Sequence, residues 1–102
     1  MKKFLLSLFL ASPKSKHEVE IMYFGRASEF LLMTSERLVI PDETCTLGQV
    51  LNSLRERGNR WAYELDNRYV VCTIDGKAAN LFDTITAGVE INIFSRKSIF
   101  ER

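Results

Sequence analysis

TLGQVLNSLRER, residues 46–57, is the stretch that decides the fold. Its apolar side chains recur at i, i+3, i+4 and i+7, the spacing of one helix face: Leu47, Val50, Leu51 and Leu54. Thr46 and Gln49 form a T-x-x-Q capping box, which satisfies two backbone donors at the start of a helix. Gly58 follows a basic last turn, where a left-handed terminating residue is expected. No other stretch predicts a long helix, so this helix must cover a sheet.

Two strands are predicted before this helix. HEVEIMYFG, residues 17–25, alternates with period two, so that one face is apolar throughout. RLVIP, residues 37–41, predicts a second strand, and the two suggest a hairpin with a wide, irregular connection. The intervening ASEFLLM, residues 27–33, is compatible with either a short helical turn or a loop that contains apolar side chains.

Further strands are predicted after the helix. Trp61 and Leu65 are spaced for one helical turn. YVVCTI, residues 69–74, is almost wholly apolar, which predicts a central strand buried on both faces. Asp75 and Gly76 predict a turn, and a short edge strand is predicted after it at residues 77–79. VEINIF, residues 89–94, alternates as a well-defined last strand.

The order strand, strand, helix, strand, short strand, strand predicts an α+β fold of the β-grasp, ubiquitin-like type. Its mixed sheet would have one main helix packed across one face. The predicted core consists of Val19, Ile21, Leu47, Leu51, Leu54, Val71 and Ile91.

Composition excludes several function classes. The chain has 102 residues, the size of one domain, with 14 Lys+Arg against 13 Asp+Glu. Because a nucleic-acid-binding protein should show a clear basic excess, no nucleic-acid partner is expected. Cys45 and Cys72 have no metal-ligand spacing and no C-x-x-C motif. The sequence therefore predicts neither a metal site nor a cofactor.

The amino-terminal 16 residues are predicted to be an apolar extension of the domain. Lys2 and Lys3 precede an apolar run from Phe4 to Ala11 that is too short to span a bilayer. It resembles a signal peptide, but Phe9 occupies a position where cleavage requires a small residue. We expect no membrane span, a cytoplasmic location and a homodimer that buries Phe4–Leu10. The predicted domain occupies residues 17–95, followed by a tail at 96–102.

Four motifs between Val19 and Phe94 resemble the small subunit of molybdopterin synthase, in the MoaD/ThiS family of ubiquitin-like sulfur carriers. They are the opening strand IMYFGRASE, the helix TCTLGQVLNSLRER, the following GNRWAYEL, and VVCTIDGKAAN with the loop into AGVEINIF. The resemblance covers about three quarters of the chain and depends on the order and spacing of the motifs together. It implies the β-grasp fold and a protein that contributes no catalytic side chain.

The resemblance also implies what the tail should do. In that family the tail ends in Gly-Gly, an activating enzyme adenylates its carboxylate, and the resulting thiocarboxylate enters the large synthase subunit to donate sulfur. Here Ile99 and Phe100 fall on the Gly-Gly positions, and the last glycine in the sequence is Gly88. The sequence therefore predicts a non-catalytic protein-interaction module related to molybdenum cofactor synthesis. The alternative is a genuine sulfur carrier with an atypical carboxyl terminus.

The resemblance implies a partner-binding surface on the sheet and tail. Phe24 and Phe94 match family positions that face the large subunit, although core packing would also explain two phenylalanines in strands. Four tail residues would take the place of the inserted tail: Arg96, Lys97, Ile99 and Phe100. The expected partner is a molybdopterin-synthase-like large subunit or an adenylating activating enzyme.

Candidate catalytic residues are few. His17 is the only histidine, and no carboxylate or nucleophile has a predictable position beside it. Asp75 belongs to a turn, and Cys72 lies within a strand. A basic cluster formed by Arg55, Arg57, Arg60 and Arg68 either complements the helix dipole or binds an acidic partner.

Overall fold

The computed structural model describes residues 17–97. The extension with its predicted dimer contact at Phe4–Leu10, and the tail residues Ile99 and Phe100, lie outside the described residues. Within residues 17–97 no helix is long and apolar enough to cross a membrane.

Residues 17–97 contain five strands and three helices, which in chain order are β1 (Glu18–Tyr23), α1 (Gly25–Leu31), β2 (Ser35–Val39), α2 (Leu47–Arg55), α3 (Asn59–Glu64), β3 (Val70–Ile74), β4 (Lys77–Ala78) and β5 (Glu90–Ser95). The strands form one mixed sheet in the order β2-β1-β5-β3-β4. β1 and β5 are parallel, and the other neighbouring pairs are antiparallel. The first and last strands of the domain therefore meet at the centre of the sheet, and the β-grasp prediction is confirmed.

Helix α2 forms where its sequence pattern predicts. The Thr46 hydroxyl accepts a hydrogen bond from Gln49 N at 3.2 Å, and Thr46 N donates to Gln49 Oε1 at 2.9 Å, which completes the capping box. All four apolar side chains of its stripe are buried in the core: Leu47, Val50, Leu51 and Leu54. Gly58 was expected to terminate this helix, but α2 ends at Arg55 with Glu56 as its C-cap. Gly58, with a φ of 151°, is instead the N-cap residue of α3.

Two short helices accompany α2, whereas the sequence predicted one main helix. The segment that was compatible with a helical turn or a loop is α1, and Trp61 lies within α3. Arg26 of α1 donates to Glu64 of α3 through Nε at 2.8 Å and a terminal nitrogen at 2.9 Å. This buried ion pair joins residues 38 positions apart, which local periodicity cannot reveal.

The prediction that β3 is a central strand buried on both faces is wrong. Val71 was predicted to be core, but it is 38 % exposed, and the neighbouring Cys72 is buried instead. The reason is register, since Cys72 pairs with the buried Ile93 while Val71 pairs with the exposed Phe94. β3 therefore has one buried face, and the central strand of the sheet is β5. The other six predicted core residues are buried.

Candidate functional site

The two faces of the sheet differ because side chains alternate along each strand. One face packs with α2 in the hydrophobic core and contains Val19, Ile21, Tyr23, Ile91 and Ile93. We call the other side the open face. At one end of it the side chains of Phe24, Val71 and Phe94 remain between 37 and 39 % exposed. Apolar surface on this side is therefore available to a partner.

Three of the exposed apolar residues form one row across the ends of β1, β5 and β3. Tyr23 and Ile93 are register partners, and Phe24 N donates to Ile93 O at 3.0 Å, so Phe24 lies beside Phe94. Their rings stack, with centroids 4.9 Å apart and planes 13° from parallel. Val71 completes the row as the cross-strand partner of Phe94. We call these three residues the apolar row.

Gly25 explains how Phe24 remains on this face. Its φ of 56° lies in the left-handed region, which side chains with a Cβ rarely adopt. The chain can therefore turn from β1 directly into α1 after Phe24 and leave that ring at the end of the strand. Gly25 therefore helps to place Phe24 in the apolar row.

The sequence assigned Phe24 and Phe94 either to partner contact or to the core. The structure brings both onto the open face, and partner binding through them stays a prediction. Sequence reasoning missed Val71 because an almost wholly apolar strand contains no alternation that identifies its outer face. The pairing of Val71 with Phe94, a feature of the β3–β5 register, supplies that information.

The start of the tail lies against the α3–β3 connection. Arg96 N donates to Tyr69 O at 2.8 Å, and an Arg96 terminal nitrogen donates to Arg68 O at 2.7 Å. Lys97 is only 8 % exposed, and its ammonium lies 3.1 Å from the Tyr63 ring centroid and 4.7 Å from that of Tyr69. Cation–π contacts of this kind hold a lysine in place. Direct contact of Arg96 and Lys97 with a partner stays a prediction, and for Lys97 it would require leaving the two rings.

Arg57 belongs to a network within the domain. Its guanidinium donates two hydrogen bonds to the Glu36 carboxylate, at 2.8 and 2.9 Å, and lies 4.6 Å from the Trp61 ring centroid. The Tyr23 hydroxyl donates to the same carboxylate at 2.7 Å. Burial and this hydrogen bond raise the pKa of Tyr23. Burial alone would raise the pKa of Glu36, but the hydrogen bonds from Arg57 and Tyr23 outweigh it and lower that pKa.

The other arginines of the basic cluster also contact the domain itself. Arg55 donates to Leu65 O at 2.6 Å, and Arg60 donates to Phe30 O at 3.4 Å. Arg68 forms an exposed pair with Asp66 at 3.1 Å. Hydrogen bonds from the Arg68 side chain and backbone lower the pKa of Asp66 to about 2. These contacts favour a structural explanation of the cluster over an acidic-partner site.

The thiols have the properties of buried apolar groups. Burial raises the pKa of Cys72 to about 12 and also raises the pKa of Cys45. A thiol with a raised pKa is protonated at neutral pH and is a poor nucleophile. Among residues 17–97 no group of three or more His, Cys, Asp and Glu side chains could hold a metal ion.

A cavity of about 290 Å³ lies between α2, β3 and the segment around β4. Its lining is mainly apolar and includes Leu47, Leu51, Cys72 and Leu81. Val71 of the apolar row also lines it, whereas Phe24 and Phe94 do not.

Solved structures with the same fold are found, although no family model and no curated protein matches the chain. SAMP1 from Haloferax volcanii superposes with a TM-score of 0.68 at 22% identity, covering 79% of this chain and 97% of that protein. A structure described as molybdopterin converting factor, subunit 1, from Pyrococcus furiosus gives 0.66 at 16% identity, covering 78% and 98%. Small archaeal modifier protein 1 from Methanosarcina acetivorans gives 0.63 at 18% identity, covering 83% and 98%. The chain therefore has a β-grasp fold like that of MoaD-like small proteins.

Proposed function

We propose that this protein is a non-catalytic docking module that binds a protein partner through the apolar row on its open sheet face. The observation that supports this most directly is the exposed stack of Phe24 on Phe94, beside the point where the tail leaves β5. The partner we propose is a large subunit like that of molybdopterin synthase, or an adenylating activating enzyme. The likeness to a molybdopterin converting factor subunit supports this assignment to molybdenum cofactor synthesis.

The apolar row has the properties of an interface centre. Two aromatic rings in contact offer a large rigid area, and such residues contribute much of the binding energy at protein interfaces. The members of the row are neighbours on one face of the sheet, so a partner can contact all three side chains at once. The tail begins within three residues of Phe94, so one partner could contact both the face and the tail.

Replacing Phe94 with serine should strongly reduce partner recovery while leaving the domain folded. Loss of a central aromatic side chain costs about 2 kcal/mol or more, which weakens binding by about 30-fold. The measurement is quantitative mass spectrometry of proteins that copurify with the full-length chain expressed in its source cell. If the proposal is correct, a synthase-like large subunit or an activating enzyme copurifies with the unchanged protein.

Phe82→Ser is the matched control, because Phe82 is also an exposed phenylalanine at 87 % but lies outside the apolar row. It should leave recovery unchanged. Thermal unfolding of both variants verifies that the domain remains folded. Equal recovery with Phe94→Ser and with the unchanged protein would contradict docking through this row.

The second candidate function is a sulfur carrier, for which the likeness to SAMP1 and the converting factor subunit is the supporting observation. Its test is chemical and independent of the open face. After incubation with an activating enzyme, ATP and a sulfide donor, intact-mass measurement should detect replacement of one carboxyl oxygen by sulfur. An unchanged mass under conditions that convert a known carrier would rule out this candidate.

A further inference from the structure

Along β1 and β5 the open face changes from apolar to acidic, while β2 presents the exposed Val39 at the acidic end as the register partner of Glu18. Beyond the apolar row, one step of two residues reaches Met22 on β1 and Asn92 on β5. The next step reaches Glu20 and Glu90, which are register partners on the parallel strands β1 and β5. Four residues of strand span about 13 Å, so the carboxylate pair lies about that far from the two phenylalanines.

The two carboxylates are adjacent, and no ion pair among residues 17–97 neutralises them. Glu20 and Glu90 are both exposed, and no salt bridge within residues 17–97 includes either side chain. Like charges directly opposite each other on neighbouring strands destabilise a sheet. Asp75 adds a third carboxylate, because its Oδ1 accepts a hydrogen bond from Glu90 N at 2.9 Å.

The basic register partner of Glu20 on β2 does not balance this charge. Arg37 is the β2 register partner of Glu20, but its guanidinium lies 4.0 Å from Glu18 in an exposed pair. This end of the open face therefore has an excess of negative charge over the described residues. Within the part of the chain that the structure describes, Glu20 and Glu90 have no ion-pair partner, while the opposite end of the same face presents stacked aromatic rings.

We infer that the partner of the open face is a protein surface that combines an apolar contact with Lys or Arg side chains about 13 Å away. This inference deepens the proposed docking function and depends on it. Basic groups opposite Glu20 and Glu90 would relieve the repulsion between the two carboxylates. Because the two ends of the face differ in chemistry, such a partner can dock in only one orientation, and charge complementarity gives that specificity.

The test uses a phage-displayed library of random 12-residue peptides, selected against the full chain. Enriched peptides should combine aromatic or aliphatic residues with Lys or Arg and should be depleted of Asp and Glu. A synthetic consensus peptide should bind the Glu20→Gln/Glu90→Gln variant about fivefold more weakly, as expected for one or two exposed charge pairs. Added salt should weaken binding to the unchanged chain and should have much less effect on the variant.

The matched control is Glu29→Gln/Glu43→Gln, which removes the same charge from exposed positions outside the sheet. It should bind the peptide as tightly as the unchanged chain. If binding requires Phe94 but is equal for both double variants, the docking function stands and the inference about basic partners fails. If no enriched peptide requires Phe94, both the docking function and this inference fail.

Discussion

Replacing Arg26 with methionine should lower the free energy of unfolding by about 3–5 kcal/mol, because it leaves a buried carboxylate without its partner. The side chains of Arg26 and Glu64 are each only 1% exposed, and two hydrogen bonds of 2.8 and 2.9 Å join them. The pair also connects α1 to α3, and the Phe30 ring lies 4.1 Å from the guanidinium. Urea denaturation followed by circular dichroism measures the change.

Two controls separate the buried charge from the loss of an ion pair in general. Arg37→Met removes an exposed pair whose atoms are 4.0 Å apart and should cost less than about 1 kcal/mol. The double variant Arg26→Met/Glu64→Leu should recover most of the lost stability, since apolar groups replace both charges. A loss below 1 kcal/mol for Arg26→Met alone would contradict the buried arrangement.

Replacing Ile91 with alanine should cost about 2–5 kcal/mol, the range for a fully buried aliphatic side chain. Ile91 lies on β5, the central strand, and is 0 % exposed. The cost has two sources. The removed methyl and methylene groups no longer contribute their free energy of transfer out of water, and a cavity remains between the sheet and its helices. The midpoint of urea denaturation should decrease without a change in slope.

A matched pair tests which face of each strand is buried. Val19→Ala and Val71→Ala remove the same atoms, but Val19 is 2 % exposed and Val71 is 38 % exposed. The Val19 variant should lose about 2 kcal/mol, while the Val71 variant should lose less than about 1 kcal/mol. Equal losses would mean that Val71 is core, as the sequence predicted.

Local pattern was sufficient for α2. Its apolar stripe, its capping box and its polar circumference are all set within twelve residues, and the structure agrees with each of them. The same reasoning was insufficient for α1, because ASEFLLM has no clear helical stripe. The buried contact between Arg26 and Glu64 joins α1 to a helix far along the chain, and no local signal contains that contact.

The candidate site, like the fold, was predicted only in part from the sequence. The resemblance to a known family pointed to Phe24 and Phe94, but it left partner contact and core packing as alternatives. Parallel pairing of β1 with β5 decides that the two rings stack, and register with β3 adds Val71 to them. The acidic pair is also invisible in the sequence, because Glu20 and Glu90 become neighbours only when the first and last strands meet.

The sequence by itself determined the succession of strands along the chain, the main helix and six of the core residues, because period-two alternation, helical spacing and capping are properties of adjacent residues. Only the tertiary structure decided which face of β3 is buried, how α1 and α3 join, and which side chains share the open face. The physical reason is that strand register and buried ion pairs depend on contacts between residues tens of positions apart. A change of one residue in register moves every side chain of a strand to the opposite face.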